Sequence, residues 1–295
     1  MSKVIIPVKI KGNEVEGNIN QEEKAILELK DEKSLVFDIK GQEGILKKLQ
    51  DQKVDGIKLT LNPKDITKEN LKKLKSYKVK EISLLVESSN DYILRNIGAN
   101  YNFEKIKQAV KKIKHKFIKL DVLTVIGLPE DTLADDLNTI KQISKLKPKE
   151  LIIIACDEHY NSSINELYNT NEYEPLSSVQ ITERLKEVIT TAEKFGIKNI
   201  KIEERNNIKD NVLESIWYDR IVEKIKSYNV KVKEVTIQAN PEAVKNIKGL
   251  EDANLNKLKE TYDVVLNIEE NDKIKMGQFK MQILETYTDF LEDNK

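Results

Sequence analysis

Cysteine, histidine, proline and glycine are all scarce in this chain of 295 residues, which has one cysteine, two histidines, six prolines and ten glycines. A single cysteine, Cys156, cannot close a disulfide within the chain, and two histidines do not complete a cysteine-rich metal site. The low content of proline and glycine is untypical of disordered protein. No apolar run approaches the roughly 20 residues of a membrane-spanning helix. We therefore expect an ordered protein without a membrane segment.

Neither sign of charge is in excess, since 50 lysines and arginines are balanced by 50 aspartates and glutamates. Balanced charge excludes a strong overall field toward nucleic acid or an acidic membrane, although local patches stay open. Residues 1–10 lack the apolar core and small-residue cleavage site of a signal peptide. The expected location is the cytoplasm.

Short β-branched runs alternate with segments in which apolar residues recur at spacings of three and four. Such spacing, as at Ile106, Val110 and Ile113, predicts amphipathic helices. The predicted strands cover residues 4–10, 34–39, 56–61, 81–86, 120–126, 150–154 and 198–202. Strands alternating with helices indicate parallel βα units. We predict an α/β fold, a complete or partial TIM-type βα barrel, over residues 1–205.

The pattern changes beyond residue 205. A helix at 211–227 is followed by a strand at 232–239, a helix at 253–262, and strands at 264–269 and 278–284. This order predicts a small C-terminal α+β module over residues 206–295.

Several short motifs follow one another in a fixed order between residues 86 and 176. They are Val86-Glu87-Ser88 with Gly98 downstream, Gly127-Leu128-Pro129-Glu130-Asp131-Thr132, Leu167-Tyr168, and Glu172-Tyr173-Glu174-Pro175-Leu176. These segments resemble the Gly-Val-Gln-Ser, Gly-Leu-Pro-Gly-x-Thr, Leu-Tyr and Gly-x-Tyr-x-Pro-Leu motifs of radical S-adenosylmethionine barrels of the elongator-type and oxygen-independent coproporphyrinogen oxidase-like group. The resemblance implies a βα barrel from a family that uses a 4Fe-4S cluster and S-adenosylmethionine.

The cluster cysteines of that family are missing. Three thiolates spaced Cys-x3-Cys-x2-Cys hold three irons of its cluster. The resemblance places these positions at Gly12, Glu16 and Ile19, none of which carries a thiol. One carboxylate oxygen does not replace three soft sulfur ligands.

The positions that the resemblance assigns to S-adenosylmethionine have also changed. Ser83 stands at the motif glutamate of the fourth strand, and Ala99 replaces the arginine after Gly98. The glycine-rich loop after the second strand corresponds to Lys40-Gly41-Gln42. We therefore expect a degenerate member of the group, with the cluster and S-adenosylmethionine both lost as cofactors and no metal site.

Two polar sets remain as candidate residues of the barrel mouth. One is the run Cys156-Asp157-Glu158-His159 after a predicted strand, which pairs a thiol with an imidazole. The other joins Asp121 with Glu87 as a paired acid and base. For the first set, a structural or solvated role is favoured over a nucleophile. For the second, a remnant of the ancestral pocket is favoured over catalysis.

Two lysine-rich stretches, at residues 72–80 and 111–119, could contact RNA phosphates. Apolar residues at helical spacing interrupt both stretches, which favours solvated faces of outer helices. The loop at residues 249–254 is faintly similar to a GxxG nucleic-acid loop, but it lacks the second glycine and contains acidic residues.

Three hypotheses of function follow. The first is a non-catalytic interaction or regulatory protein that pairs with an active paralogue or binds a small ligand in the mouth. The second is an RNA-associated protein derived from a tRNA-modifying enzyme. The third is an enzyme of different chemistry that uses Asp121, Asp157, Glu158 and His159.

Overall fold

The computed structural model describes residues 5–11, 14–16, 25–31, 34–50, 54–203, 208–275 and 277–287. The chain divides into two compact units, residues 1–205 and residues 206–295. Within the described ranges, none of the helices combines the length and the apolar composition needed to cross a bilayer.

The first unit is built on an eight-stranded sheet with the order β2-β1-β3-β4-β5-β6-β7-β8. Its strands are β1 Ile5–Lys11, β2 Glu14–Glu16, β3 Ile26–Asp31, β4 Gly56–Leu61, β5 Val79–Leu85, β6 Lys119–Ile126, β7 Leu151–Ala155 and β8 Ile200–Ile202. The short β2 pairs antiparallel with β1, and all other pairings are parallel. The edges are β2 and β8, so the described sheet is open. The predicted α/β fold with parallel βα units is confirmed.

Helices connect the parallel strands from β3 to β8, as the three- and four-residue spacing predicts. They are α1 Glu43–Gln50, α2 Lys68–Ser76, α3 Asp91–Asn96, α4 Phe103–His115, α5 Leu133–Leu146, α6 Ser162–Asn169 and α7 Ser178–Lys194. Thr132 starts α5 through a capping box with Asp135, and Ser177 starts α7 through one with Gln180. Each cap satisfies backbone N–H groups that the first turn leaves unpaired, an effect typically worth about 1 kcal/mol.

The second parallel strand lies earlier in the chain than its sequence pattern predicts. Residues 34–39 form no strand, and the strand is β3, Ile26–Asp31. It pairs in register with both β1 and β4. Hydrogen-bonded pairing with β1 and β4 determines which segment forms the strand, and it outweighs the local β propensity of residues 34–39. The strand prediction there is wrong, and Lys40-Gly41-Gln42 does not directly follow the second strand.

Most strand residues in the middle of the sheet are apolar and buried. Ile57, Leu59 and Leu61 on β4 are fully buried, as are Ile82 and Leu84 on β5. Burying one such side chain contributes about 1.5–3 kcal/mol. Strands covered on both faces are typical of parallel sheets.

The second unit, residues 206–295, is a small α+β structure. It contains α8 Ile208–Lys226, β9 Val232–Ala239, α9 Pro241–Lys248, α10 Ala253–Tyr262, β10 Val265–Glu270 and β11 Phe279–Thr286. The central β9 pairs parallel with β10 and antiparallel with β11. Its core is formed by Trp217, Ile221, Val235, Ile237 and Leu258.

Candidate functional site

The loops that follow β3, β4, β5 and β7 line a cavity of about 290 Å³ at the carboxyl edge of the sheet, here called the mouth cavity. Carboxyl ends of parallel strands meet at one edge, which is where βα barrels place their active sites. The side chains and backbone that line it come from Ser34, Leu35, Val36, Asn62, Lys64, Leu85, Glu87, Ile97, Gly98, Ala99, Asn100, Tyr101, Tyr160 and Asn161. The sequence-predicted residues Glu87 and Ala99 therefore lie at the mouth.

Glu87 is the buried acid of the mouth cavity, 6% exposed. Its two carboxylate oxygens accept hydrogen bonds from two different tyrosines. Tyr160 Oη donates to Oε1 at 2.7 Å, and Tyr101 Oη donates to Oε2. Burial raises the pKa of Glu87, although the two hydroxyl donors act in the opposite direction.

Both tyrosines remain protonated donors. Burial, together with the neighbouring Glu87 carboxylate, raises the pKa of Tyr101 and Tyr160 above the ordinary tyrosine value. Tyr101 lies between α3 and α4, whereas Tyr160 follows β7. Glu87 thus joins two loops that are far apart in sequence, and sequence analysis missed both tyrosines.

Gly98 shapes the wall of the cavity. Its φ is +76°, and a Cβ built there would lie 2.7 Å from Ser163 Oγ. A side chain at this position would be strained and would also collide with α6. The backbone conformation and the nearby Ser163 both favour glycine at this position.

Lys64 supplies the opposite charge to Glu87. It belongs to a 3₁₀ turn, Pro63–Asp65, which Asn62 caps by accepting a 3.0 Å hydrogen bond from the Lys64 backbone N–H. Asn62 and Lys64 also line an adjoining hollow of about 470 Å³. The mouth cavity therefore combines a carboxyl group, a lysine ammonium group and asparagine amides with apolar walls, a combination typical of small-molecule sites.

The run after β7 does not form a cysteine–histidine pair. Cys156 is buried, whereas the side chain of His159 is 75% exposed. Tyr173 contacts Cys156 and donates a 2.9 Å hydrogen bond to the Gly127 carbonyl. His159 Nε2 lies 3.6 Å from Glu158, and its backbone N–H donates to Asp157 Oδ1 at 3.0 Å. These contacts favour the structural interpretation of the run.

Asp121 lies away from Glu87, so the expected acid–base pair does not form. It is the third residue of β6 and pairs in register with Ser83 on β5. Glu87 is four residues beyond Ser83, about 13 Å along an extended strand. Asp121 Oδ2 instead lies 2.8 Å from Lys58 Nζ. The expectation that Asp121 faces the mouth is wrong because this residue belongs to the amino-terminal half of the sheet.

Lys58 is the centre of a buried charged cluster. Its Nζ also lies 3.3 Å from Glu28 and 3.1 Å from Glu150. Burial opposes the charge, but Asp121 and the two glutamates hold the pKa of Lys58 above its ordinary value. Burial raises the pKa of Asp121, and the positive charge of Lys58 reduces that increase. A lysine in the middle of an apolar strand is the sequence signal that could have revealed this cluster.

The described positions that the resemblance assigns to the cluster and to S-adenosylmethionine, Glu16, Ser83 and Ala99, belong to different elements. Gly12 and Ile19 lie outside the described residues. Glu16 is exposed on the edge strand β2. Ser83 is fully buried and its Oγ has no hydrogen-bond partner among the described residues.

Asp131, at the end of the Gly-Leu-Pro loop after β6, contacts Asp136, a buried acid in the first turn of α5. Arg184 Nε lies 2.6 Å from Asp136 Oδ2, and its Nη2 donates to the Asp131 carbonyl at 2.9 Å. Burial and the nearby Asp131 raise the pKa of Asp136 to about 9. Arg184 pairs with the Asp136 carboxyl, and the Asp131 side chain hydrogen-bonds to the same carboxyl, so the two acids titrate as a pair.

Comparison with known proteins confirms the resemblance that the motifs predict. The family model described as the radical SAM superfamily matches residues 13–143. The chain is 22% identical over 157 residues to the oxygen-independent coproporphyrinogen-III oxidase-like protein HemZ of Bacillus subtilis. It is 32% identical over 100 residues to the heme chaperone HemW of Haemophilus influenzae.

These matches cover only part of each protein. The HemZ match takes in 53% of this chain and 31% of the relative, and the HemW match takes in 33% and 26%. Among solved structures, the archaeal Elp3 of Methanocaldococcus infernus is similar with a TM-score of 0.56 and 14% identity, over 75% of this chain and 63% of that one. Those values show a shared fold.

A thiolate-bound cluster does not fit the residues of the first unit. Residues 13–143, which match the family model, contain no cysteine, and Cys156 is buried after β7 rather than beyond β1. Three thiolates are needed to hold such a cluster. Within the described part of the chain, no three His, Cys, Asp or Glu side chains are grouped to bind a metal ion.

Proposed function

We propose that this radical SAM-like protein is non-catalytic in the sense of its family, with no 4Fe-4S cluster and no cleavage of S-adenosylmethionine. It acts instead as an interaction or regulatory protein that binds a small ligand in the mouth cavity. The observation that carries the proposal is the absence of cysteine from residues 13–143, the region that matches the family model.

The mouth cavity supports a binding role. Glu87 is fixed by two hydroxyl donors, and Lys64 provides a charge of opposite sign within the same lining. A ligand with both a donor group and an anionic or carbonyl group would complement these two side chains. The name heme chaperone, given to one partial relative, also describes a binding task.

Iron-sulfur reconstitution under anaerobic conditions tests the first half of the proposal. The purified protein is incubated with iron, sulfide and reductant, desalted, and measured for bound iron, bound sulfide and release of 5′-deoxyadenosine from S-adenosylmethionine. A radical SAM enzyme with its three cysteines, treated in parallel, is the positive control. We expect no stoichiometric cluster and no 5′-deoxyadenosine, and the presence of both would contradict the proposal.

Ligand binding tests the second half. A metabolite library is screened by thermal shift against the wild-type protein and against Glu87→Gln. A mouth ligand is expected to stabilise the wild type and to lose most of its effect in Glu87→Gln. Glu158→Gln, on the loop after β7, is the matched control and keeps the shift. Equal shifts in all three proteins would place the ligand elsewhere.

A further inference from the structure

The turns at the amino-terminal edge of the sheet contain left-handed residues that are not glycine. Lys78, before β5, has φ +61°, and Phe117, before β6, has φ +57°. Both follow the end of a helix, where glycine is the favoured residue because the left-handed conformation crowds a Cβ. A bulky side chain is the least suited to such a position.

Phe117 is also 93% exposed. Its ring therefore adds nothing to the core, and its backbone conformation is one that glycine would adopt without strain. A folding role does not account for a phenylalanine here.

Lysines from three elements line one surface hollow with Phe117. Lys75 from α2, Lys78 and Lys80 around the start of β5, and Lys116 at the end of α4 line a shallow hollow of about 440 Å³ together with Phe117. Asp55 is the single acidic residue of that lining. The hollow concentrates positive charge on a chain whose net charge is zero.

Two of these ammonium groups donate hydrogen bonds to backbone carbonyls. Lys75 Nζ donates to the Lys116 carbonyl at 3.3 Å, and Lys78 Nζ donates to the Gln50 carbonyl at 2.8 Å. The stem of Lys80 lies over Gly56, where an added Cβ would come 2.8 Å from Lys80 Cδ. Such contacts orient the lysine side chains at the hollow. The neighbouring Lys119 and Lys149 pair with Glu81 and lie outside its lining.

A purely structural explanation covers only part of this arrangement. Lysines in the last turn of a helix complement the helix dipole, which accounts for Lys75 and Lys116. That effect does not explain Lys80 in a strand, nor an exposed aromatic ring in a strained conformation. A ring beside positive charge is the combination that binds single-stranded nucleic acid, through base stacking and phosphate contacts.

We propose that the Phe117 hollow binds single-stranded nucleic acid, with one base stacked on Phe117 and the adjacent phosphates beside Lys75, Lys80 and Lys116. A single strand fits better than a duplex because only an unstacked base can lie on the ring. This site is at the opposite edge of the sheet from the mouth cavity, so it goes beyond the proposed function and stands independently of it.

Fluorescence anisotropy with labelled oligouridylate and oligoadenylate RNA, about twelve nucleotides long, tests the proposal. Removal of one base-stacking contact typically lowers affinity by roughly five- to a hundredfold. We expect a loss of this size for F117G. The same variant is expected to unfold at the same or a higher temperature, because glycine relieves the backbone strain. Loss of binding without loss of stability separates a binding role from a structural one.

The charge contribution has its own test. The variant K75Q/K80Q/K116Q is expected to flatten the plot of log affinity against log salt by about two units of slope, since each phosphate contact on a single strand contributes about 0.7. F195A removes another exposed aromatic, and K141Q/K145Q/K194Q removes three lysines from α5 and α7. Both controls are expected to bind as the wild type does.

Three outcomes would overturn the proposal. The first is no binding at low salt. The second is binding that F117G leaves unchanged or that inorganic polyphosphate displaces as well as RNA does, because the hollow would then select charge alone. The third is stronger binding to phosphatidylserine vesicles than to RNA, which would identify a membrane surface.

Discussion

Lys58 and Asp121 form an ion pair inside the sheet, with 2.8 Å between Nζ and Oδ2 and side chains that are 2% and 1% exposed. Two further carboxylates, Glu28 and Glu150, lie within 3.3 Å of the same ammonium. Charges in this position are costly to bury, and the ammonium and the carboxylates compensate one another. Substitution of Lys58 therefore leaves three carboxylates without this counter-ion.

Replacing Lys58 with methionine is expected to lower the free energy of unfolding by about 3–5 kcal/mol, since buried carboxylates lose their counter-ion. Urea denaturation measures the change. The double variant K58M/D121N should recover part of the loss because it removes one of those carboxylates as well. K141M, at an exposed lysine, serves as the control, and a K58M protein as stable as K141M would refute the account.

The Asp131–Asp136 pair predicts a pH dependence of stability. The pKa of Asp136 is raised to about 9, whereas an unfolded aspartate releases its proton near pH 4. A raised folded-state pKa contributes stability that is complete below the unfolded pKa and is lost as pH rises through the folded pKa. Between these two values, D136N should gain stability relative to the wild type as pH rises, by up to about 1.4 kcal/mol per pH unit.

Thermal unfolding of both proteins across that range measures the difference. Glu183, exposed on α7, provides the control substitution E183Q, whose stability should follow that of the wild type at every pH. A constant difference between D136N and the wild type would show that the pair is fully ionised.

Tyr160→Phe removes the hydroxyl that donates to Glu87 Oε1. A buried carboxylate that loses one donor is expected to cost about 1–3 kcal/mol of stability. The loss should increase as pH rises through the raised pKa of Glu87, because the ionised carboxylate depends more on its donors. Chemical denaturation at two pH values tests this, with the exposed Tyr168→Phe as the control. Equal losses at both pH values would argue against the hydrogen bond as their cause.

In the second unit, Asn254 is a single polar residue that joins three helices. Its Nδ2 donates to the carbonyls of Glu214, Asn246 and Ile247. Asn254→Ala should therefore destabilise this unit by about 1–3 kcal/mol. Hydrogen exchange, compared with that of the exposed Asn256→Ala, should show faster exchange in α9 and α10. Unchanged exchange would assign the stability of the unit to its apolar core alone.

Much of the fold could be predicted from local pattern. Strands β4 to β7 follow runs of Ile, Leu and Val whose burial is dictated by composition, and Thr132 and Ser177 mark helix starts through their own side chains. β3 could not be found this way. Its sequence, Ile-Leu-Glu-Leu-Lys-Asp, has residues common in helices, and its place is set by pairing with β1 and β4.

The candidate site was less accessible to sequence analysis. Glu87 was identifiable through its motif, but Tyr101 and Tyr160 lie in no motif and approach Glu87 only when two separate loops fold. The sequence pattern does not show which end of a strand a residue occupies, because local sequence does not encode the register between strands. Asp121 lies near the start of β6, in register with Ser83, and so lies away from the mouth.

Because each oxygen of Glu87 is bonded to a tyrosine from a different loop, those loops are already ordered before any ligand arrives. A molecule that enters the mouth cavity meets a preorganised wall, so its binding carries little of the entropic cost of loop immobilisation. Such a wall also selects ligands by shape, because it does not rearrange around a ligand that fits poorly. Association at this site should consequently be fast and selective.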